Sequence, residues 1–379
     1  MFYSNSVDSP NLFVIEPSNP ARSSTEDLCQ LIVSSTTDLW RKLHGCGAVL
    51  FRDFDIKTPE DFEKVALSLL PTKLAKQYPG GAPRKKLTER VWTSTSFSSY
   101  MPIPAHTELS YFPNIQPSYI FFYCWKSPEW GGQTPIIDMG SVLKDLPASL
   151  VDKCRQKAMV YSMLSTEKPQ RFFDIRLFQW PWFRKSKTWS KTFDSDNPDF
   201  VEKKCLATGQ QIKWLEAPGK DLIVETKAQS IIQHPITAEE VWAGFSPLFH
   251  IWGMAIEALF VTLHQRTLRS FVVLFLLWLV TVIQQIFICM CNLWNYIFKD
   301  KLNLPSWFPG NRKILDVCFE DGTSLRPCEV FWIIKAYWKN TTIFNWRDGD
   351  VLLLDNKRIG HQRLPFKGNR RDICTAFAK

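Results

Sequence analysis

His106-Thr107-Glu108 and the distant His361 are the residues of this chain whose types and spacing best suit holding a metal ion. In an extended strand, residues i and i+2 project from one face, so His106 and Glu108 could grip one ion together, with His361 closing the site. Two imidazoles and one carboxylate on one side of an ion form the facial triad of non-haem iron(II) oxygenases, which leaves the opposite positions open for cosubstrate and oxygen. Arg370 and Arg371 follow the distal histidine. Adjacent strand residues point opposite ways, so one of the two arginines can face inward. Each fragment alone is weak, since a His and a Glu two apart also mark surface strands and paired arginines also mark charged surfaces.

The elements that must position these residues read as strands near the site and helices outside it. Leu12 to Ile15 is a short apolar run, and Ser24 to Leu43 reads as one helix with Ser24 or Thr25 as N-cap. Gly47 to Phe51 reads as a strand, and Thr58-Pro59-Glu60-Asp61 opens another helix with Thr58 at the N-cap and Pro59 at N1. Pro71 to Lys86 is a loop rich in Gly, Pro and Lys. Ser118 to Trp125 is aromatic and β-branched like a buried strand, Gly131-Gly132 makes a turn, and Thr134 to Asp138 runs extended. Val351 to Asp355 and Ile373 to Phe377 read as strands too.

With 379 residues and 45% hydrophobic content, the chain can bury a sizeable core and is not a disordered one. The formal charge of +9, from 46 Lys plus Arg against 37 Asp plus Glu, could suit an anionic partner, although a solvated basic surface is the simpler reading. Ten cysteines without paired CxxC spacing, and no secretory signal before them, read as reduced thiols of a cytosol-facing protein that is not secreted. Arg171 to Phe193 interleaves basic and aromatic residues. Such a stretch could bind single-stranded nucleic acid or sit at a membrane interface, and a loop covering an active site is the preferred reading.

Residues 247–298 stand apart. From Phe271 to Cys291 only Thr281, Gln284 and Gln285 interrupt an apolar run of 21 residues, long enough to cross a bilayer as a helix. Arg266 and Arg269 precede the run and Lys299 and Lys301 follow it, so charge asymmetry sets no orientation. A shared metal site would put the chain before and after the run on the same side of any membrane, which excludes one simple crossing. What remains is a membrane-associated helical hairpin with Phe249 to Leu263 as its second arm, a segment lying in the interface, a buried lid or dimer contact, or an error in the gene structure. A hairpin in lipid would bury Glu257 at a real cost.

The pattern becomes specific when the fragments are taken together: Gly47-Ala48-Val49-Leu50-Phe51-Arg52-Asp53-Phe54, Thr93-Ser94-Thr95, Gly131-Gly132-Gln133-Thr134-Pro135, Trp346-Arg347-Asp348-Gly349-Asp350, and His361-Gln362-Arg363-Leu364-Pro365-Phe366 before Arg370-Arg371. On these motifs the chain resembles the taurine dioxygenase (TauD/TfdA) family of iron(II)/2-oxoglutarate-dependent oxygenases, most closely its branch of clavaminate-synthase-like proteins and SyrP-type hydroxylases. The likeness covers roughly Gly47 to Val241 and Pro305 to Lys379 and fails over 247–304.

The resemblance implies a mixed α+β, mainly β fold: a double-stranded β-helix, jelly-roll or cupin-like, with flanking helices. The oxygenase domain would then run over 1–246 and 305–379, interrupted by a hydrophobic helical insertion at 247–304. His106, Glu108 and His361 would be the iron ligands and catalytic centre. Arg371, with help from the Thr134 hydroxyl, would hold the distal carboxylate of 2-oxoglutarate. Asn356 reads equally as support for the ligands or as a turn residue. Iron(II), 2-oxoglutarate and O2 are the expected cofactor and cosubstrates, with ascorbate as reductant.

The implied reaction is oxidation of an unactivated C–H bond coupled to decarboxylation to succinate. Glu108 favours hydroxylation over halogenation, with desaturation also open. The expected substrate is a free or carrier-bound amino acid or amino-acid-derived small molecule of specialised biosynthesis. The alternatives are a hydrophobic terpenoid, polyketide or lipid at a membrane, or a non-catalytic membrane-associated interaction protein. Nucleic acid is not expected as a partner.

Overall fold

The computed structural model describes residues 9–78, 80, 84–95, 97–168, 188–215, 217–298, 315–368 and 370–379. Its first sheet has six strands in the order β1 (Phe13–Ile15), β2 (Ala48–Phe51), β15 (Val351–Asp355), β5 (Tyr119–Lys126), β18 (Asp372–Ala378) and β3 (Trp92–Thr93). The second runs β14 (Thr341–Thr342), β7 (Ile136–Asp138), β16 (Ile359–Arg363) and β4 (Ile103–His106). These two sheets form the jelly-roll. A third sheet, β13 (Leu315–Phe319), β8 (Met159–Ser165), β10 (Leu222–Ala228) and β9 (Gln211–Trp214), extends it. Two ribbons complete the strands, β11 (Ile231–Gln233) with β12 (Glu240–Trp242), and β17 (Phe366–Lys367) with β6 (Trp130–Gly131).

Alternation along the central strands explains their composition. Ile120 and Phe122 of β5, with Leu352 and Leu354 of β15, pack inward with Ile136 and Ile359 of the second sheet. Tyr119, Phe121 and Tyr123, with Val351 and Leu353, pack outward against three helices, α1 (Thr25–Ser34), α2 (Thr36–Cys46) and α3 (Pro59–Leu69). A sheet covered on both faces needs continuous apolar runs rather than alternating ones.

The expected single helix over Ser24 to Leu43 is two helices that meet at Ser35, where φ is −121°. The run Ser34-Ser35-Thr36-Thr37 explains the break, because short hydroxyl side chains compete for backbone carbonyls: Ser34 Oγ donates to Leu31 O (3.1 Å) and Thr36 Oγ1 to Ile32 O (2.8 Å). Ser24 is the N-cap, in a capping box with Asp27, and Thr58 caps α3 by accepting from Asp61 N. Gly47 ends α2 at φ +85°, where a Cβ would lie 2.4 Å from Ile359 Cγ1, so no larger residue fits between helix and sheet.

Helices α4 (Met139–Asp145), α5 (Ala148–Gln156), α8 (Gly253–Gln265) and α10 (Pro327–Lys339) cover the second and third sheets in one core cluster. Two more, α6 (Trp189–Phe193) and α7 (Pro198–Ala207), close a small cluster over β9 and β10. The apolar run forms α9 (Leu268–Phe298), 31 residues long, antiparallel to α8 as a hairpin. The first arm of that hairpin is buried in protein: Ile256 of α8 belongs to the main core, and Phe260 stacks on Trp338 of α10 at 6.2 Å. Glu257 is fully buried, accepts from Trp338 Nε1 at 3.1 Å through one oxygen, and has no partner for the other among the described residues.

Burial pushes the Glu257 carboxyl up to about 8. A carboxyl whose pKa rises on folding takes up a proton, so its stability contribution is complete at low pH and is lost as pH climbs through about 8. We predict that Glu257→Gln, which keeps an acceptor for Trp338 without the charge, melts higher than wild type above pH 8, with the gap closing towards pH 5. Thermal unfolding across that range checks this, and a gap independent of pH would refute it.

Candidate metal centre

The site begins with one antiparallel pair. β4 and β16 run side by side with His106 directly opposite His361, and the two rings lie 4.4 Å apart. On the other flank β16 pairs with β7, bringing Ile136 beside His361, while Phe122 meets the His361 ring edge-on at 5.0 Å. A bulge between His361 and Arg363 lets the strand turn immediately afterwards.

Glu108 reaches the same point by a different route from the one its spacing implies. β4 ends at His106, and Glu108 stands in a turn that continues through Leu109 at φ +57°. The i, i+2 strand argument therefore does not apply to it. The fully buried Asn356 positions it instead, accepting from Glu108 N (2.8 Å) and donating to Glu108 O (3.0 Å) and Pro117 O (2.8 Å). Of the two readings open for Asn356, both hold: it is a turn residue that clamps Glu108. The next residue back, Asp355, accepts from His234 Nε2 at 3.0 Å, and His234 Nδ1 accepts from the backbone of Ile236 and Thr237.

His106, Glu108 and His361 each offer one ligand atom, and these atoms lie within 4.8 Å of one another. Glu108 Oε2 is 4.0 Å from His106 Nε2 and 3.9 Å from His361 Nε2. His106 Nδ1 is 2.8 Å from Pro104 O, which places its proton there and leaves the Nε2 lone pair facing the site. Burial first, then the neighbouring His106 and Arg84, holds His361 well below the usual histidine range, so it is neutral, the form that ligates metal. Its Nδ1 is buried without a hydrogen-bond partner. Nitrogen, nitrogen and carboxylate oxygen converging from two strands and a turn fit a divalent first-row ion such as iron(II).

Beside the triad lies a cavity lined by Arg84, Thr134, Arg363 and Arg371, among others. Arg371 faces inward, donating from Nε to Gly132 O (2.8 Å) and from Nη2 to Thr134 Oγ1 (3.1 Å), whereas Arg370 turns out to pair with Asp372. Thr134 Oγ1 also accepts from Trp346 Nε1 at 3.0 Å, so its own proton is free to point into the cavity. Gly132 sits at φ +65°, and a Cβ there would lie 3.0 Å from Arg371 Cδ. Arg363 donates to the carbonyls of Phe97, Ser98 and Met101.

Neither Arg363 nor Arg371 has a carboxylate partner among the described residues. Burial lowers Arg371 to about 10 and Arg363 to about 9, leaving both cationic at neutral pH. Two desolvated cations without a counter-ion fit an anionic ligand, because isolated buried charge is strongly unfavourable.

Three contributors escape a sequence reading. Arg84, from the Gly- and Pro-rich loop, places Nη2 3.3 Å from both Glu108 oxygens, and its guanidinium lies over the rings of Tyr78 and Phe377. Tyr78 donates to Glu108 Oε1 at 3.2 Å. Arg363, two residues beyond His361, holds the 97–101 loop. No periodicity marks such groups. Most of the basic aromatic stretch, residues 171–187, lies outside the described residues; Trp189 of that stretch packs against Trp214, away from the site.

Among known proteins, the taurine catabolism dioxygenase TauD, TfdA family matches residues 15–243, a span that holds His106, Glu108 and Thr134 but stops short of His361 and Arg371. The dapdiamide synthesis protein DdaC of Enterobacter agglomerans is 25% identical over 324 residues, 86% of this chain and 80% of its own length. A clavaminate synthase-like protein of Arabidopsis thaliana is 26% identical over 337 residues, 88% of this chain and 82% of its own. A solved taurine dioxygenase from Burkholderia xenovorans aligns over all of this chain and 89% of its own with 12% identity and a TM-score of 0.48, too low to bear weight.

Asn356 satisfies both backbone groups of Glu108, and leaving such buried groups unpartnered costs about 1–3 kcal/mol each. Asn356→Ala is expected to lower the melting temperature and weaken divalent-metal affinity by about 10- to 100-fold. Anaerobic titration with iron(II) or cobalt(II) measures the second effect, and unchanged affinity would show that the clamp does not position Glu108.

Proposed function

We propose that this chain, which belongs to the taurine catabolism dioxygenase TauD, TfdA family, oxidises an unactivated C–H bond of an amino acid or amino-acid-derived small molecule in specialised biosynthesis. Family membership makes it an iron(II)- and 2-oxoglutarate-dependent dioxygenase; the substrate and the roles of individual residues are our reading. The observation that carries it is the convergence of His106, Glu108 and His361 beside Arg363, buried, and Arg371, half-buried, neither of which has a carboxylate partner among the described residues. The relative named for dapdiamide synthesis supports a place in specialised metabolism.

In this reading His106, Glu108 and His361 hold iron(II), which with 2-oxoglutarate and O2 supplies the oxidising power for C–H cleavage. The carbonyl of Pro104 keeps the His106 proton on Nδ1, so that Nε2 is the ligating atom. Arg84 and Tyr78 hold the Glu108 carboxylate in place by two kinds of hydrogen bond. The planar fork of Arg371 and the free Thr134 proton receive one carboxylate of 2-oxoglutarate, and Trp346 fixes the Thr134 hydroxyl for that task. Phe122, Ile103 and Ile373 line the same cavity with apolar surface that restricts water near the reacting centre. Because the carboxylate ligand Glu108 is retained, hydroxylation is the favoured outcome, with desaturation open to the same active site.

Succinate formation by purified protein with iron(II), ascorbate and 2-oxoglutarate, but no substrate, tests the assignment. Wild type should turn over slowly. His106→Ala should lose both metal binding and turnover, whereas Arg371→Ala should keep metal and require about 10- to 100-fold more 2-oxoglutarate, the loss expected for a charge-assisted hydrogen-bond pair. Failure of folded wild type to bind iron(II) would refute the reading of the triad, and an unchanged 2-oxoglutarate requirement in Arg371→Ala would refute that of the arginine.

A further inference from the structure

The helix α9 is apolar on its outer face as well as on the face that packs against α8, where Val273, Leu274 and Leu277 meet the domain. Ser270, Leu277, Thr281 and Gln284 face the protein and are buried, while Phe271, Phe275, Leu279, Ile286, Met290 and Leu293 face outward and are exposed. Phe275 is 67% exposed and Met290 62%. A helix on a water-soluble surface confines its apolar stripe to the core side and turns polar side chains outward. At 100° per residue the exposed apolar positions fill an arc of roughly 160° along a helix about 46 Å long. We propose that this face seats in the headgroup and outer acyl region of an anionic lipid bilayer, with the helix lying in the membrane plane.

Three observations choose lipid over a second copy of the chain. The arc is wider than the narrow two-in-seven seam that a partner helix covers, so packing two copies would leave its flanks in water. No Asp or Glu occurs from Ala258 to Lys299, whereas the exposed Arg266 precedes the helix and Lys299 follows it in the chain, which complements anionic headgroups. The run from Ser270 to Phe298 has no charged side chain with which to form an ion pair to a protein surface.

The seat is in-plane because the fold forbids a crossing. β13, which follows α9 in the chain, pairs with β8 of the same domain, and His361 lies beside His106. A helix that crossed would have to be followed by a second crossing. The sixteen residues 299–314 carry Lys299, Asp300, Lys301, Arg312 and Lys313, and among the described residues α9 alone is long and apolar enough to span.

The hairpin base is fixed to the rim of the metal site. Arg269 Nη1 donates to Phe366 O (3.0 Å), Gln265 Nε2 donates to Pro365 O (3.0 Å), and Arg269 lies over Tyr100 at 3.7 Å. A membrane-seated α9 therefore holds the loops around Tyr100 and Pro365 close to the lipid surface.

Vesicle flotation of the full chain tests the proposal. Wild type should float with phosphatidylcholine vesicles containing about one-fifth phosphatidylserine and less with phosphatidylcholine alone. Phe275→Asp/Ile286→Asp should reduce the floated fraction at least tenfold, while Phe275→Leu/Ile286→Leu should retain it; circular dichroism and thermal melting confirm that both variants are folded. Absence of flotation in wild type, or equal flotation of wild type and the Asp variant, would overturn the proposal. So would a dimer in sedimentation that the Asp substitutions dissolve without any vesicle binding, which would assign the face to a second copy. None of these readouts depends on iron or 2-oxoglutarate.

Discussion

The turn that carries the chain from β15 in the first sheet to β16 in the second is the constraint on which the rest of the structure depends. It carries a buried polar cluster: Asp355 held by His234, Asn356 clamping Glu108, and Arg358 paired with Asp138 at 3.3 Å. Buried polar groups that bond one another favour one arrangement, because alternatives leave more of them unpaired. That turn feeds β16 into register with β4, so His361 arrives opposite His106 although 254 residues separate them in the chain. One turn between the two sheets thus delivers one ligand directly and a second through Asn356.

Charge pairing separates structural arginines from those suited to ligands. Arg52 meets Asp350 with two hydrogen bonds, of 3.0 and 2.6 Å, joining β2 to the start of β15, and needs nothing further. Arg84 is balanced by Glu108. Arg363, buried, and Arg371, half-buried, are offered only carbonyl and hydroxyl oxygens by the described residues. Desolvated guanidinium groups remain charged, so the low-dielectric cavity holds positive potential that an anion would relieve. The difference lies in the counter-ion, not in the residue type.

Helices α8 and α9 show how similar composition can have different fates. Both are strongly apolar, yet α8 is enclosed between α9 and α10, even at Glu257, whereas α9 meets protein along one side only, through Val273, Leu274 and Leu277 beside Ser270, Thr281 and Gln284. An enclosed helix contributes to the core through apolar burial. An apolar face left outside cannot stabilise the fold in that way, so its residues answer to something beyond the domain.

The amino-acid sequence by itself determined much of the chemistry. The residue types of the HxE fragment, His361, Thr134 and Arg371, together with the flanking motifs, sufficed for the family and the jelly-roll. Continuous apolar runs at Ala48–Phe51, Tyr119–Cys124 and Val351–Leu354 marked strands buried on both faces, and Thr58-Pro59 marked a helix start, because such signals are local. The break at Ser35 was obscured by apolar periodicity that continues on both sides of it. Only tertiary structure decided that Glu108 sits in a turn, that Asn356 and Arg84 position it, and that α9 carries an apolar face outward. These are relations between segments hundreds of residues apart, set by strand register and buried hydrogen bonding, and local spacing carries no record of either.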